Sequence, residues 1–579
     1  MADDALAQEI CSRFPEVASD ASLVAECVTV CKNYALSPED LQYKWEAHNF
    51  RPSATRSEIS PYTLESLISL KQQIQRDRTI NAIPKPAPRP TALVAALNRT
   101  GFRGRGAGSN VAKSSQVKVE PDAEGFAMIA GPSKVAFRGP PAAPAARKKR
   151  AYRYMLDKPS ERGHVMDQRI EEYAERIREQ YELNDIGDPS ASTADEITVV
   201  GRIIHDDDAA EDTSKLGDTA IAIECACSIG GPRAPIRFEW DLKIRGGPKG
   251  NGAATFFPGA LAAFRGKNGG ADHFQVSEVL YLPPPPLQTE FKPEPHDPFS
   301  VLVACGPFTP DTDLGFKSWR ALLQKLQEIK PDVVVLTGPF IDAQHPHIKS
   351  GEVDSTPASL FRTRFVDPLR SYLDSAPGSI AVVVPSVRDL VSSHAVFPQA
   401  ELERELVKSD PRIHTVPNPA WFTLNGLSFS VTSADILFHL KRGEFTKRGA
   451  EIDPVEVSPD DACGDAIVGL CKHVLQQRSI YPVFPVPADL TNELVLDITH
   501  SGGLRLGPGM DGSSDVPPPD CSPDVLIVAS RFKQFAKPVY ETTAINPGFV
   551  YKGSYVVLEV GARTGEERPV LAPRVLKLE

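Results

Sequence analysis

The sequence predicts a multidomain chain: a small all-α domain, a disordered linker, a small β-barrel and a closing α/β domain. Three observations predict it. Apolar residues recur at helical spacing over residues 1–80; Pro, Gly and Ala crowd residues 81–150; and short strands from about 195 give way to strand–turn–helix repeats after about 299. At 579 residues the chain exceeds one core, since domains run to roughly 100–200 residues.

Residues 1–80 read as a helical docking domain. Leu23, Val24, Cys27, Val28 and Cys31 share a helical stripe, and Ser37-Pro38-Glu39-Asp40 has the form of a helix start. A hydroxyl caps, proline fits the first turn, and acids favour the positive end of the dipole. Leu41 and Trp45 continue that helix, and Leu64, Leu67, Ile68 and Lys71 to Ile74 supply another.

Residues 81–150 have no apolar periodicity and read as a disordered linker, because they cannot bury enough surface to offset chain entropy. Within it, Arg147-Lys148-Lys149-Arg150 has the composition of a nuclear import signal, which a solvated charge run shares. "VKVE" at 117–120 has the pattern of a sumoylation acceptor at Lys118.

Residues 151–190 carry a connecting amphipathic helix over 164–183, with Met166, Ile170, Tyr173, Ile177 and Tyr181 on one face. Five short strands follow within 195–285, which suits an oligonucleotide/oligosaccharide-binding (OB) barrel. In the third, Phe238 and Trp240 alternate with Arg237, Glu239 and Asp241, so the two aromatics are expected in the core. A single-strand DNA binder of this fold needs aromatics among bases, and that strand offers two acids to one base.

Composition narrows the function. A formal net charge of −11 opposes tight phosphate binding, so contact with DNA is expected only through partners. Neither an 18-residue apolar run nor a signal-peptide pattern is present, so the expectation is a soluble, intracellular protein without membrane contact. The nine cysteines lack zinc spacing and read as reduced structural thiols.

Residues 299–579 repeat apolar strand, turn and helix, the pattern of a sheet covered on both faces, and ligands in such sheets bind at strand ends. The turns are Cys305-Gly306-Pro307, Gly338-Pro339-Phe340-Ile341-Asp342, Pro385-Ser386-Val387-Arg388-Asp389, Thr432-Ser433 and Ala529-Ser530-Arg531-Phe532. Their order resembles the calcineurin-like metallophosphoesterases, whose turns carry Asp-x-His, Gly-Asp-x-x-Asp, Gly-Asn-His-Asp, a lone His and Gly-His-x-His. Against that pattern Cys305, Pro307, Pro339, Val387, Arg388, Ser433, Ser530 and Phe532 occupy ligand positions, and none supplies a replacement set of carboxylates and imidazoles. Asp342 and Asp389 remain, as structural carboxylates at turns. His345 and His347 are expected as solvated loop residues. The resemblance therefore implies an inactive phosphoesterase-type domain with no catalytic residue, metal or cofactor.

An inactive domain of this type joined to an OB barrel resembles the B subunits of replicative DNA polymerases. "VLVACGPFT", "LTGPFIDAQH", "VVVPSVRDL", "LSFSVTSADILFHL", "QRSIYPVFP", "PDVLIVASRFKQFAKPV" and "INPGFVYKG" narrow it to the B-subunit family of DNA polymerase alpha–primase. The Gly-rich insert at 245–252 and the loop at 502–520 depart from the family and are expected as surface insertions. The resemblance implies a nuclear scaffold that grips the C-terminal region of the polymerase catalytic subunit. It further implies primase in the same complex, and docking of other replication factors by the N-terminal domain. The alternatives are the B subunit of polymerase delta or epsilon, an active metallophosphoesterase, and a single-strand DNA binder.

Overall fold

In the first described segments, the apolar stripes close on one another. The computed structural model describes residues 2–14, 20–34, 38–51, 58–59, 67, 70–71, 133–140, 158–206, 216–270, 273–287, 295–456, 464–508, 520–565 and 567–578. The chain divides into two units, residues 1–123 and 124–579. In the first, helices α1 (Ala2–Arg13), α2 (Ala21–Tyr34) and α3 (Pro38–Asn49) precede a short antiparallel pair, β1 (Phe50–Arg51) and β2 (Glu58–Ile59). Asp20 Oδ1 accepts the Ser22 N–H at 2.9 Å and so caps α2, while Pro38 opens α3 as expected. Ile10, Phe14, Leu23, Cys27, Val30, Leu41, Trp45, Leu67 and Leu70 form the core. Burial pushes the Cys27 thiol up to about 12, which keeps it protonated and unreactive. The cysteines among the described residues are free thiols.

The second unit begins with β3 (Phe137–Arg138) and helix α4 (Pro159–Tyr181). Helix α4 lays Ile170, Tyr173, Ala174 and Ile177 against Val200, Leu261, Ala263 and Leu280, so the predicted stripe packs on the outside of the barrel. The barrel comprises β4 (Ile197–His205), β5 (Ile221–Glu224), β6 (Arg233–Arg245), β8 (Leu261–Lys267) and β9 (Phe274–Leu280), with β7 (Ala253–Phe256) lying between β6 and β8 in sequence. Pairing of β6 with β9 closes it, so the five-stranded OB expectation holds.

One barrel residue departs from expectation. Trp240 is 95% exposed, whereas Phe238 packs against Phe256, Phe264 and Phe445. The β6–β9 register shifts between Phe238 and Lys243, and Trp240 lies in the stretch that has no partner on β9, while Leu242 and Ile244 beyond it return to the buried face.

The α/β part runs through β10 (Phe299–Cys305), α5 (Lys317–Ile329), β11 (Val333–Thr337), the short helices α6 (Pro346–Lys349) and α7 (Pro357–Phe361), α8 (Asp367–Ser375), β12 (Ile380–Val384) and β13 (Ile413–Thr415). It continues with β14 (Ala420–Leu424), β15 (Leu427–Thr432), α9 (Ile436–Gly443), β16 (Phe445–Arg448), β17 (Ala450–Ile452) and α10 (Ala466–Gln476). It closes with β18 (Val525–Val528), β19 (Phe535–Val539), β20 (Thr542–Asn546), β21 (Ser554–Val560) and β22 (Leu571–Lys577).

The expected single sheet is in fact two six-stranded sheets, ordered β13-β12-β11-β10-β21-β22 and β19-β20-β18-β15-β14-β3. Val301, Val303, Val335, Val382, Phe422, Phe429, Val431 and Ile527 fill the space between them. On the far face of the first sheet, Leu302, Val334 and Leu336 meet Trp319 and Leu322 of α5 and Leu369 and Tyr372 of α8. Both faces of these strands are buried, which is why they read as continuous apolar runs. Each such side chain contributes about 1.5–3 kcal/mol when fully buried.

Leu526 and Val528 on the far face of the second sheet join Leu437 and Leu440 of α9, Val474 of α10 and Phe256 and Phe264 of the barrel in one continuous core. The barrel and the second sheet are thus one mechanical unit. Strand pairing reinforces it, since β16 pairs with β7 and β17 with β6. The Gly-rich insert at 245–252 is held in this region: Pro248 bridges Val455, and the Lys249 N–H reaches the Val455 carbonyl at 3.0 Å.

The linker expectation fails over 133–140. There β3 pairs with β14 at the sheet edge, Val135 is buried, and the Phe137 ring stacks on His414 at 4.1 Å. Three apolar residues within "SKVAFRG" are too few to register as a strand against the surrounding Pro, Gly and Ala. The remainder of 81–150, including Lys118 and Arg147-Lys148-Lys149-Arg150, lies outside the described residues, as does 509–519 within the second insertion.

Candidate functional site

The turns at the ends of β10, β11, β12, β15 and β18 come together, as strand ends of two packed sheets must. The Gly306 N–H donates to the Thr337 carbonyl at 2.9 Å, joining the first turn to the second. Neither Gly306 nor Gly338 has room for a Cβ: one would overlap the Pro339 carbonyl, the other the Asp389 carboxylate. Ser433 Oγ donates to the Pro385 carbonyl at 2.8 Å, tying the fourth turn to the third. The Ala529 N–H donates to the Thr432 carbonyl at 3.1 Å, tying the fifth to the fourth.

The carboxylates of the second and third turns are occupied. Asp389 is buried, and its Oδ1 accepts the N–H groups of Phe340 and Ile341 while Oδ2 accepts that of Ser386 at 2.8 Å. Burial pushes its carboxyl up to about 7, the three N–H donors pull the other way, and the Asp342 charge adds to the rise. Asp342 takes Arg388 Nε at 3.1 Å on Oδ1 and the other arm of the same guanidinium on Oδ2, a bidentate pair. Its Oδ1 also accepts the Gln344 N–H at 2.9 Å.

At the fifth turn Ser530 Oγ donates to Asp435 Oδ1 at 2.6 Å, and Arg531 Nε reaches Asp435 Oδ2 at 2.8 Å. The Arg531 guanidinium also pairs with Glu493 and lies 4.1 Å from the Phe438 ring. Cys305 is buried, its Sγ donates to the Gly306 carbonyl at 3.2 Å, and burial pushes the thiol up to about 12. Pro339 is buried, Pro307 accepts the Tyr551 N–H at 3.2 Å, and Val387 and Phe532 pack on the core shared with the barrel.

The two loop histidines part company. His347 is half-exposed, its Nδ1 2.6 Å from Glu352, and that hydrogen bond raises its pKa. His345, by contrast, is only 1% exposed, which corrects the solvated reading. Its Nδ1 accepts the His347 N–H at 3.2 Å, capping α6, and its Nε2 lies 3.1 Å from the Pro310 carbonyl. Its spacing before Pro346 is a helix start, a signal already in the sequence.

Sequence reading missed the amides that complete the cluster. Asn418 is fully buried; Nδ2 donates to Ser433 Oγ at 2.8 Å, and Oδ1 accepts the Ser433 N–H at 3.2 Å. Asn546 Oδ1 accepts the Ser530 N–H at 3.2 Å and the Gly548 N–H at 3.0 Å. Gln399 Nε2 donates to the Ser386 carbonyl at 3.1 Å. Each precedes or follows a proline, but nothing in sequence marks them as partners of the turns. Among the described residues no group of three or more His, Cys, Asp or Glu is arranged to hold a metal ion. The arrangement offers guanidinium–carboxylate and amide pairs, which hold turns in place.

Two family models match the chain. Residues 163–282 match the OB domain of the DNA polymerase alpha B subunit, and residues 301–537 match the DNA polymerase alpha/epsilon B subunit. The DNA polymerase alpha B subunit of Schizosaccharomyces pombe is 29% identical over 420 residues, covering 69% of this chain and 66% of that protein. The Saccharomyces cerevisiae protein of the same name is 29% identical over 455 residues, 71% of this chain and 61% of its own length. The Bos taurus protein is 28% identical over 347 residues, 59% of this chain and 52% of its own length. The matched region thus spans somewhat under two thirds of these relatives.

Proposed function

The chain belongs to the family of DNA polymerase alpha B subunits, and from that premise we propose that it is the non-catalytic scaffold of a polymerase alpha–primase complex. In this reading residues 299–579 are a calcineurin-like phosphoesterase-type domain that has lost its metal ligands. The observation that carries it is the strand-end cluster: Asp342, Asp389 and Asp435, the carboxylates there, are consumed by Arg388, Arg531 and backbone N–H groups. A carboxylate already neutralised by a guanidinium has no charge to spare for a divalent cation.

The partner in this proposal is the C-terminal region of the polymerase catalytic subunit, held by the barrel and the two sheets, with primase completing the complex and DNA reached only through it. The N-terminal helices then serve other replication factors, and the complex works in the nucleus on primer synthesis. The common core of barrel and second sheet supports this division, because a stable interface of about 1,200–2,000 Å² needs rigid elements behind it. Among the described residues no helix is long and apolar enough to cross a membrane. The match over 301–537 would serve a polymerase epsilon B subunit equally; the OB match over 163–282 favours alpha.

Pull-downs with the tagged polymerase catalytic subunit test the reading. Residues 124–579 are expected to be captured as well as the full chain, and residues 1–123 alone are not. Capture by 1–123 alone would move the polymerase contact to the helical unit.

A further inference from the structure

Helix α4 carries Arg169, Glu172 and Arg176 at i, i+3 and i+7, beside the Tyr173 that packs on the barrel. Facing them are Arg202 from β4, Arg478 from the end of α10, and Arg505. Five guanidinium groups therefore share one region of a protein whose formal net charge is −11.

Their acceptors can be accounted for one by one. Arg176 pairs with Asp520 at 2.5 Å, and Arg505 takes the other oxygen of Asp520 at 3.2 Å and Glu172 at 3.1 Å. Arg202 pairs with Glu224, a carboxylate it shares with Arg233, and lies 5.2 Å from the Phe484 ring. Arg478 donates one arm to the Pro283 carbonyl at 3.2 Å. Three carboxylates are thus used up before Arg169 is reached. Arg169 is half-buried and makes no hydrogen bond or ion pair among the described residues. Two more buried donors nearby, Arg202 Nε and Arg478 Nε, lack acceptors among the described residues.

A half-buried guanidinium without a partner is costly, and here neighbouring cations add to the cost. Burial, and then Arg202, pull the Arg169 guanidinium down to about 10, so it stays charged at neutral pH. The site has the composition of an oxyanion receptor whose anion must come from outside: a planar donor fork, further donors behind it, and a local excess of positive charge.

We propose that Arg169, supported by Arg202 and Arg505, is an acceptor site for an aspartate or glutamate side chain presented by a protein partner. Carboxylate geometry matches the guanidinium fork. Glu172, Asp520 and Glu224 interrupt the arginines, which therefore form no continuous basic groove of the kind a nucleic-acid backbone tracks. The proposal does not depend on which polymerase the chain serves.

The test uses the full-length chain at low ionic strength with three probes: hexaglutamate, a Gly-Ser hexapeptide and oligothymidylate. Hexaglutamate should bind in calorimetry and raise the unfolding midpoint, and the Gly-Ser peptide should do neither; Arg169→Gln should weaken hexaglutamate binding at least ten-fold. Without probe, Arg169→Gln should unfold at the same temperature as the parent or higher, because an unpaired charge has been removed. Arg169→Lys, which keeps the charge but loses the fork, should bind hexaglutamate with intermediate affinity. Equal hexaglutamate binding by parent and Arg169→Gln would overturn the proposal, as would no binding by the parent. Oligothymidylate binding that depends on Arg169 would make nucleic acid the ligand instead. Misfolding of both variants would show Arg169 to be a structural cation and would equally overturn it.

Discussion

The strand-end cluster and the α4 cluster are both rich in arginine, and they handle charge in opposite ways. At the strand ends Arg388 and Arg531 each meet carboxylates of the same chain, and Asp389 is saturated by backbone N–H groups. Along α4, acceptors run out and Arg169 is left over. The difference separates charge used to hold a structure from charge left available for a partner. A charge with its partners inside the chain makes substitution expensive and ligand binding unrewarding. A surplus charge makes substitution cheap and binding rewarding.

The largest expected effect falls at the closed cluster. Asp389→Ala strands three backbone donors in the interior, and loss of such charge-assisted bonds should destabilise by about 3 kcal/mol or more. Urea unfolding checks this, and a change below about 1 kcal/mol would mean the turn closes without the carboxylate.

Arg388→Ala should cost less, on the order of 1–2 kcal/mol, because the arginine is partly exposed and water can replace it at Asp342. If the double variant Arg388→Ala/Asp342→Asn is more stable than Arg388→Ala, the cost lies in the stranded carboxylate.

The pH response sharpens the comparison further. The Asp389 carboxyl sits near 7 in the folded chain against about 3.9 when unfolded, so the folded state binds the extra proton between those values. Its contribution to stability is therefore full below about pH 4 and is lost as pH rises through about 7. Unfolding midpoints measured from pH 4.5 to 8 should show this decline in the parent and a shallower one in Asp389→Asn. Parallel profiles would contradict the assignment.

The smallest effect is expected on the barrel surface. Trp240 is almost fully exposed, so Trp240→Ala should change stability by no more than about 0.5 kcal/mol. A loss of about 2 kcal/mol or more would instead place the indole in a packed site, as its alternation with Phe238 suggests.

These residues also show what is legible in the sequence. The stripes of α2 and α4, the five barrel strands and the turns after β10, β11 and β12 follow from local periodicity, which apolar spacing reports directly. Trp240 escapes such a reading because a register shift is a property of two strands, and periodicity within one cannot reveal it. Strand β3 escapes it because its pairing with β14 is separated by nearly 300 residues of chain. The doubled sheet is hidden for the same reason, since a strand buried by helices and one buried by a second sheet read alike. At the candidate site, the residues that occupy each turn are legible position by position. The partners Asn418, Asp435 and Asn546 are not, because each acts on a turn distant in sequence.

Centrally, the strand-end carboxylates are engaged by the protein's own guanidinium and N–H groups, and we propose that they hold no metal. The direct measurement is metal content of the full-length chain, incubated with manganese, separated from free ion and analysed by mass spectrometry. Well under one ion per chain is predicted, with no hydrolysis of phosphodiester or phosphomonoester model substrates. Two ions per chain, or hydrolysis abolished by Asp342→Ala, would contradict it.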